Sequence, residues 1–264
     1  MKSKLSLLTI TKNAQGLIEK TLESVSGLVD EIIIIDNCST DKTVEIAKKY
    51  GAKVYLHHEE DLGKQKRYGL GKCKGEWVLV LDADEYLSES LRKEIKELFV
   101  IRYSLLGKYD GFYIPFQNHF LSQSIKYGGE NYKMLRLFKK NAVYINPALV
   151  HERFEINKGK VGKLRGKIYH HSYRSLWQTY KKFTDYAIRE AKQKFNNGEK
   201  SSLKKIFLYP LHMFWARFVE DRGYKDGLFR IPLDLGFAYM EFLTYIFLWW
   251  YGIKNSKFKN QNAK

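Results

Sequence analysis

Two uninterrupted apolar runs constrain this chain most: EIIIID at positions 31–36 and EWVLVL at 76–81, each ending at an acid, Asp36 and Asp82. A run with no polar side leaves nothing to face water, so each is a strand covered on both faces, the pattern of a buried parallel sheet. Lys4 to Thr11 is another β-rich run, and Leu17, Ile18, Thr21, Leu22 and Val25 follow it at helical spacing. Ser39 or Thr40 can cap a helix whose apolar side carries Val44, Ile46 and Ala47. A short strand at Lys53 to Leu56, a helix over Lys64 to Lys74, and a helix opened by Ser88 with Leu91, Ile95, Leu98 and Phe99 complete the series. The order βαβαβαβα predicts an α/β fold with helices on both sheet faces and a ligand crevice at the carboxyl ends of the strands.

Past Gly107 the texture changes to short strand-like pieces, 111–116, 133–138, 142–150 and 167–173, broken by Gly, Asn and Pro. From Ser175, helical spacing returns through Trp177, Tyr180, Phe183, Thr184, Ala187, Ile188 and Ala191, and Asn196, Asn197 and Gly198 stop it. With 264 residues the chain is one large domain or a domain with an appendage. The boundary is predicted at 174/175, giving 1–174 as the α/β domain and 175–264 as a helical region. Charge divides the same way. Of the net +17, residues 157–264 carry +14, from 22 Lys and Arg against 8 Asp and Glu. That basic region is crowded with aromatics between Lys205 and Ile253, a combination that suits a membrane interface or a nucleic acid, although a solvated basic face over an aromatic core has the same composition. Leu235 to Ile253 approaches the length of a membrane span, but Glu241 and Thr244 dilute it, so an amphipathic helix lying on or partly in a surface is expected. The first residues read as a strand instead of a signal peptide, and Cys38 and Cys73 make neither a disulfide scaffold nor a zinc site, so a reducing cytoplasmic location is expected.

In a doubly wound sheet, Asp36, Asp82, Asp84 and Glu85 converge on one mouth, where carboxylates repel unless a cation lies between them. Asp82 and Asp84 flank a single Ala and can address one hard cation, Mg²⁺ or Mn²⁺ carried with a diphosphate; a plain surface turn after a strand has the same letters. Arg136 interrupts an apolar strand and must find a carboxylate or a phosphate. His57 and His58 precede EED on an expected surface loop, and both cysteines read as packing residues.

TxTKN at the first strand, DNCSTDKT at the second, GKQKRYGL and then WVLVLDADE together resemble family-2 glycosyltransferases of the GT-A fold, over residues 4 to about 100. KMLRLFKKN, LVHERF and IYHHSYRSL extend the likeness to about Leu176 and are similar to the small group that includes lipopolysaccharide core β-glucosyltransferases. The resemblance implies a Rossmann-like, mostly parallel GT-A sheet with a C-terminal helical region, and a UDP-sugar or other nucleotide sugar as donor. It places Thr9, Thr11 and Asn13 along the base and ribose, Asp36 on the uracil or ribose edge, Lys64 and Arg67 toward the diphosphate, Asp82 on the ribose and Asp84 on the metal, with His170, or neighbouring His171, completing the metal shell. Glu152 in VHE is the expected general base and Glu130 in YGGEN its rival, since the common Glu-Asp motif is missing; in HERF, a surface ion pair competes with the base reading.

The implied reaction is inverting transfer of a hexose from the nucleotide sugar to a hydroxyl of a saccharide or lipid-linked glycan, in lipopolysaccharide core or other cell-surface glycan synthesis. The basic region would hold the enzyme on the anionic inner face of the cytoplasmic membrane or mediate self-association. Against this stand a phosphatase of the haloacid dehalogenase type, whose DxD needs a nearby Thr that DADEYLSES lacks, a basic nucleic-acid-binding protein, and a catalytically inactive membrane-surface protein that keeps the fold.

Overall fold

The computed structural model describes residues 4–101, 103–130, 132–146 and 153–261. The amino-terminal half follows the predicted alternation: β1 (Leu5–Thr11), α1 (Ile18–Val25), β2 (Glu31–Asp36), α2 (Thr43–Lys49), β3 (Lys53–Leu56), α3 (Leu62–Lys72), β4 (Trp77–Val80), then a short β5 (Glu85–Leu87) and α4 (Glu89–Val100). A short helix α5 (Tyr103–Lys108) leads to a long strand β6 (Gly111–Phe120), a two-residue β7 (Gln123–Ser124) and β8 (Lys133–Lys139). The hairpin β9 (Tyr144–Asn146) and β10 (Arg153–Glu155) precedes β11 (Val161–Lys163) and β12 (Ile168–Tyr173). Three helices follow: α6 (Leu176–Asn196), α7 (Leu203–Trp215) and α8 (Arg230–Gln261).

The strand order is β3-β2-β1-β4-β8-β6-β12-β5. The first four strands are parallel, and β8 joins β4 in the antiparallel sense, so the sheet is mixed but mostly parallel where the apolar runs lie. Alternation along β1 sorts the core. Leu5 and Leu7 face α1, α2 and α4 with Ile34, Trp77 and Leu79, whereas Leu8 faces Cys73 and Tyr68 of the α3 side with Ile33, Ile35, Val78 and Val80. α3 can lie close because Gly69 has no side chain: a Cβ there would stand 2.5 Å from Leu8 Cδ1 and 2.9 Å from Ile35 Cγ1.

At the amino edge Glu31 ties three strands together. Its Oε1 accepts from Ser6 Oγ at 2.7 Å, from the Lys74 amide at 2.5 Å and from the Gly75 amide at 3.2 Å. Burial alone would raise its pKa, but these donors and Lys53 outweigh that and hold it below the ordinary carboxylate value.

By contacts the chain forms two compact units, residues 1–117 with 132–171, and residues 118–131 with 172–264. The chain-order boundary expected at 174/175 thus leaves out the segment 118–131, which groups with the C-terminal helices. The reason is a set of charges. In that second unit Arg230 is fully buried, Nε donates to both oxygens of Asp234 at 2.9 Å, and Nη2 donates to the Gly128 carbonyl at 3.1 Å. Asp226 accepts from the Lys126 and Tyr127 amides. Gly128 has φ +73°, and a Cβ there would meet the Arg230 guanidinium at 2.0 Å, so the glycine is required by the clamp.

Candidate active site

β1, β2 and β4 deliver their last residues to one edge of the sheet because they are parallel and adjacent, in the order β2-β1-β4. At about 4.8 Å per strand, Asp36 and Asp82 are separated by roughly 10 Å across that edge, a span that a nucleoside diphosphate can bridge. Their local surroundings differ. Asp36 is fully buried and follows the α1 and α2 face; its Oδ1 accepts from the Ser39 amide at 2.8 Å and its Oδ2 from Ser39 Oγ at 2.5 Å. Thr9 and Thr11, on the same face of β1, are buried, and among the described residues neither hydroxyl has a hydrogen-bond partner. Unpaired buried hydroxyls are costly, so these two stand out at the carboxyl end of β1. Asn13 is exposed with φ +50°; its Oδ1 accepts from the Thr40 amide at 2.8 Å and its own amide donates to Ser39 Oγ at 2.8 Å, so it fixes the DNCST turn.

The DADE segment is organised by Arg136 of β8. One guanidinium nitrogen reaches Asp82 Oδ2 at 3.1 Å and Glu85 Oε1 at 2.7 Å, the Asp82 amide donates to Glu85 Oε2 at 3.0 Å, and the guanidinium lies 5.3 Å from the Phe116 ring centroid. Burial pushes both carboxyls up. For Asp82, Arg136 and Lys66 more than reverse this and hold it well below the usual carboxylate range. For Glu85, burial and the neighbouring Asp82 prevail over Arg136 and raise it. The interrupted apolar strand therefore finds carboxylates as its partners, and Asp82 stays ionised at the edge.

Asp84 Oδ2 and His170 Nε2 of β12 lie 3.4 Å apart, brought together because His170 registers opposite Glu85. His171 turns the other way, its Nε2 2.9 Å from Tyr86 Oη, while its amide donates to the Asp84 carbonyl at 3.1 Å. The pair would supply an oxygen and a nitrogen donor to one hard ion such as Mg²⁺ or Mn²⁺. Among the described residues there is no larger group of His, Cys, Asp or Glu that could hold a metal.

On α3, Lys64 and Arg67 are exposed, and Lys64 pairs with Glu59 at 3.7 Å. Sequence reasoning passed over Lys66, which is buried and close enough for its charge to bear on Asp82. The signal was there: Gly63, Lys66 and Gly69 recur every three residues on the helix face that packs on the sheet. Glu152 lies outside the described residues. Its rival Glu130 belongs to the second unit, buried, with Oε1 paired to Arg217 Nη2 and Oε2 accepting from Asn118 Nδ2 at 3.1 Å.

A mostly parallel sheet with helices on both faces, a Rossmann-like edge tipped by acids and an antiparallel extension is the GT-A type of α/β fold. The chain belongs to glycosyl transferase family 2, whose family model matches residues 6–158. It is 32% identical to an uncharacterized glycosyltransferase of Rickettsia typhi over 91% of this chain and 85% of that protein. It is 26% identical to LpsC of Rhizobium meliloti, a lipopolysaccharide core biosynthesis glycosyltransferase, over 92% of this chain and 89% of that protein. Among solved structures it is similar to residues 1–349 of S. aureus TarS in complex with UDP-GlcNAc, at 16% identity and a TM-score of 0.44, covering 96% of this chain and 92% of that one.

Proposed function

We propose that the protein transfers a hexose from a nucleotide sugar, a UDP-sugar by preference, to a hydroxyl of a saccharide or lipid-linked glycan, with inversion, in the assembly of lipopolysaccharide core or another cell-surface glycan. The work would be done at the inner face of the cytoplasmic membrane. The observation that carries this reading is the edge at the ends of β1, β2 and β4, with the unpaired Thr9 and Thr11 hydroxyls, buried Asp36 and ionised Asp82, and with Asp84, two residues past Asp82, beside His170 of β12. The likeness to a lipopolysaccharide core enzyme along nearly the whole chain supports the acceptor class.

Within this reading Thr9, Thr11 and Asp36 hold the nucleoside, and Asp82, locked in place by Arg136, accepts from the ribose. Lys66, with Lys64 and Arg67 nearer solvent, faces the diphosphate, whose charge a cation complements. Asp84 and His170 would hold Mg²⁺ or Mn²⁺, which supplies Lewis-acid stabilisation of the charge that develops on the departing diphosphate. Glu152 takes the proton from the acceptor hydroxyl as that oxygen attacks the anomeric carbon from the side opposite the leaving group, which inverts the centre. Glu130 is the weaker candidate, because each of its oxygens already accepts from a donor.

Asp84→Ala is expected to abolish transfer, and with it the dependence on divalent metal, while circular dichroism and melting stay those of the parent. Full activity in that variant would remove the metal from the mechanism. Glu152→Gln should lower kcat about a hundredfold or more with donor KM little changed, the usual size of a general-base contribution. The same loss in Glu130→Gln alone would move the base there.

A further inference from the structure

Helix α7 is built the wrong way round for a soluble protein. It buries Ile206 against its neighbours, yet the opposite side presents Leu203 (70% exposed), Phe207 (60%), Leu211 (68%) and Trp215 (55%), four large apolar residues each one turn from the next. Leu208, half exposed, widens the row. It runs about 18 Å along the helix. A helix whose outward side is apolar has a partner or lies in an apolar medium.

Charge narrows the choice of partner. Residues 200–219 contain Lys200, Lys204, Lys205 and Arg217 and no acid. On α8, Trp249 and Trp250 are half exposed, Lys254 lies 5.1 Å from the Trp250 ring, and Trp249 lines a groove of about 730 Å³ with Phe195, Leu248, Ile253, Glu199 and Lys200. Apolar side chains beside tryptophan and an excess of lysine, the one acid of the groove, Glu199, being paired with Lys194, match the boundary layer of an anionic bilayer, where acyl chains, carbonyls and phosphates succeed one another over a few ångström. A nucleic acid offers no apolar phase for Leu203, Leu208 and Leu211. Arg230–Lys254 is long and apolar enough by composition to cross a membrane, but α8 packs on α6, which carries Lys181, Lys182, Asp185, Arg189 and Glu190. A spanning α8 would draw those charges into hydrocarbon.

We infer that the outward side of α7, with Trp249 and Trp250 of α8, is a monotopic docking surface for an anionic phospholipid bilayer, lying in the interface plane without crossing it. The inference deepens the membrane location proposed above and rests on that location, but not on the transfer chemistry.

The test is co-sedimentation of the full-length protein with phosphatidylcholine vesicles, with and without about one-third phosphatidylglycerol, in the absence of any sugar nucleotide. Binding is expected only with the anionic lipid, weakening as salt rises. Phe207→Glu with Leu211→Glu, both at exposed positions, should weaken it by about tenfold or more while the melting temperature holds. Tryptophan fluorescence should be quenched by lipids brominated on the acyl chain, and the quenching should be smaller in Trp215→Phe, with Trp249 and Trp250 supplying the remainder. If the parent ignores anionic vesicles, membrane docking is wrong. If the double variant binds as well as the parent, the surface is misassigned. If instead the parent is a dimer in solution that the double variant splits, with vesicle binding unchanged, the row belongs to a second copy of the chain and the proposal fails. Donor binding, measured separately by melting, is untouched by any of these results.

Discussion

Arg136 is a cation inside an apolar strand, and its value lies in what would happen without it. It is buried between Asp82 and Glu85, so Arg136→Leu leaves two acids facing each other with only the more distant Lys66 as counter-charge. Breaking a buried ion pair by removing one partner costs about 3–5 kcal/mol, which should appear as a lowered denaturant midpoint, and the variant should also lose donor affinity as Asp82 swings away. A change under about 1 kcal/mol would mean that water already compensates those acids. The two cysteines make a second contrast at this scale. Burial pushes the Cys73 thiol up to about 12, whereas Cys38 is exposed in the DNCST turn. A thiol reagent near pH 8 should therefore modify one cysteine quickly and the second only in denaturant, and rapid labelling of both in the folded protein would contradict the packing of α3 on the sheet. Residue by residue, the acids of the edge were legible because they end apolar runs. Lys66 was not, because a lysine beside an exposed arginine looks solvated until the helix face is known.

Among the elements, β1, β2 and β4 depend on Glu31 at the edge opposite the site. Glu31→Gln should cost about 1.5–3 kcal/mol, the range for hydrogen bonds to a charged group, with Ser6 and the Lys74 and Gly75 amides losing their ionised acceptor. The sign with pH follows from its lowered pKa. The folded state binds the Glu31 proton less readily than the unfolded chain does, so the contribution is fully present above the ordinary value of 4.5 and is lost as pH falls through the lower folded value. Urea midpoints of parent and Glu31→Gln should accordingly converge on acidification below about pH 4.5; a constant gap would assign the loss to packing. The strands at 31–36 and 77–80 and the Ser175 cap of α6 were readable from sequence, since each is set by local pattern. α7 was obscured by Pro210 inside it and by an apolar row where a surface helix normally shows charge.

For the molecule as a whole, sequence order misplaces one piece. The segment 118–131 joins the C-terminal helices through Arg230, Asp226 and Arg217, contacts a hundred residues apart in the chain that no local period announces. The parallel half needed no such contacts to be recognised, and it is that half which carries the central claim, a nucleoside diphosphate held through an ion on the carboxyl ends of β1, β2 and β4. The direct measurement is the melting temperature with UDP, with and without Mn²⁺, in the parent and in Asp84→Ala, because a ligand that binds only the folded state raises its melting point. The account predicts that UDP stabilises the parent, that Mn²⁺ enlarges the shift, and that Asp84→Ala removes the enlargement. No shift with UDP, or a full Mn²⁺ increment in Asp84→Ala, would contradict it.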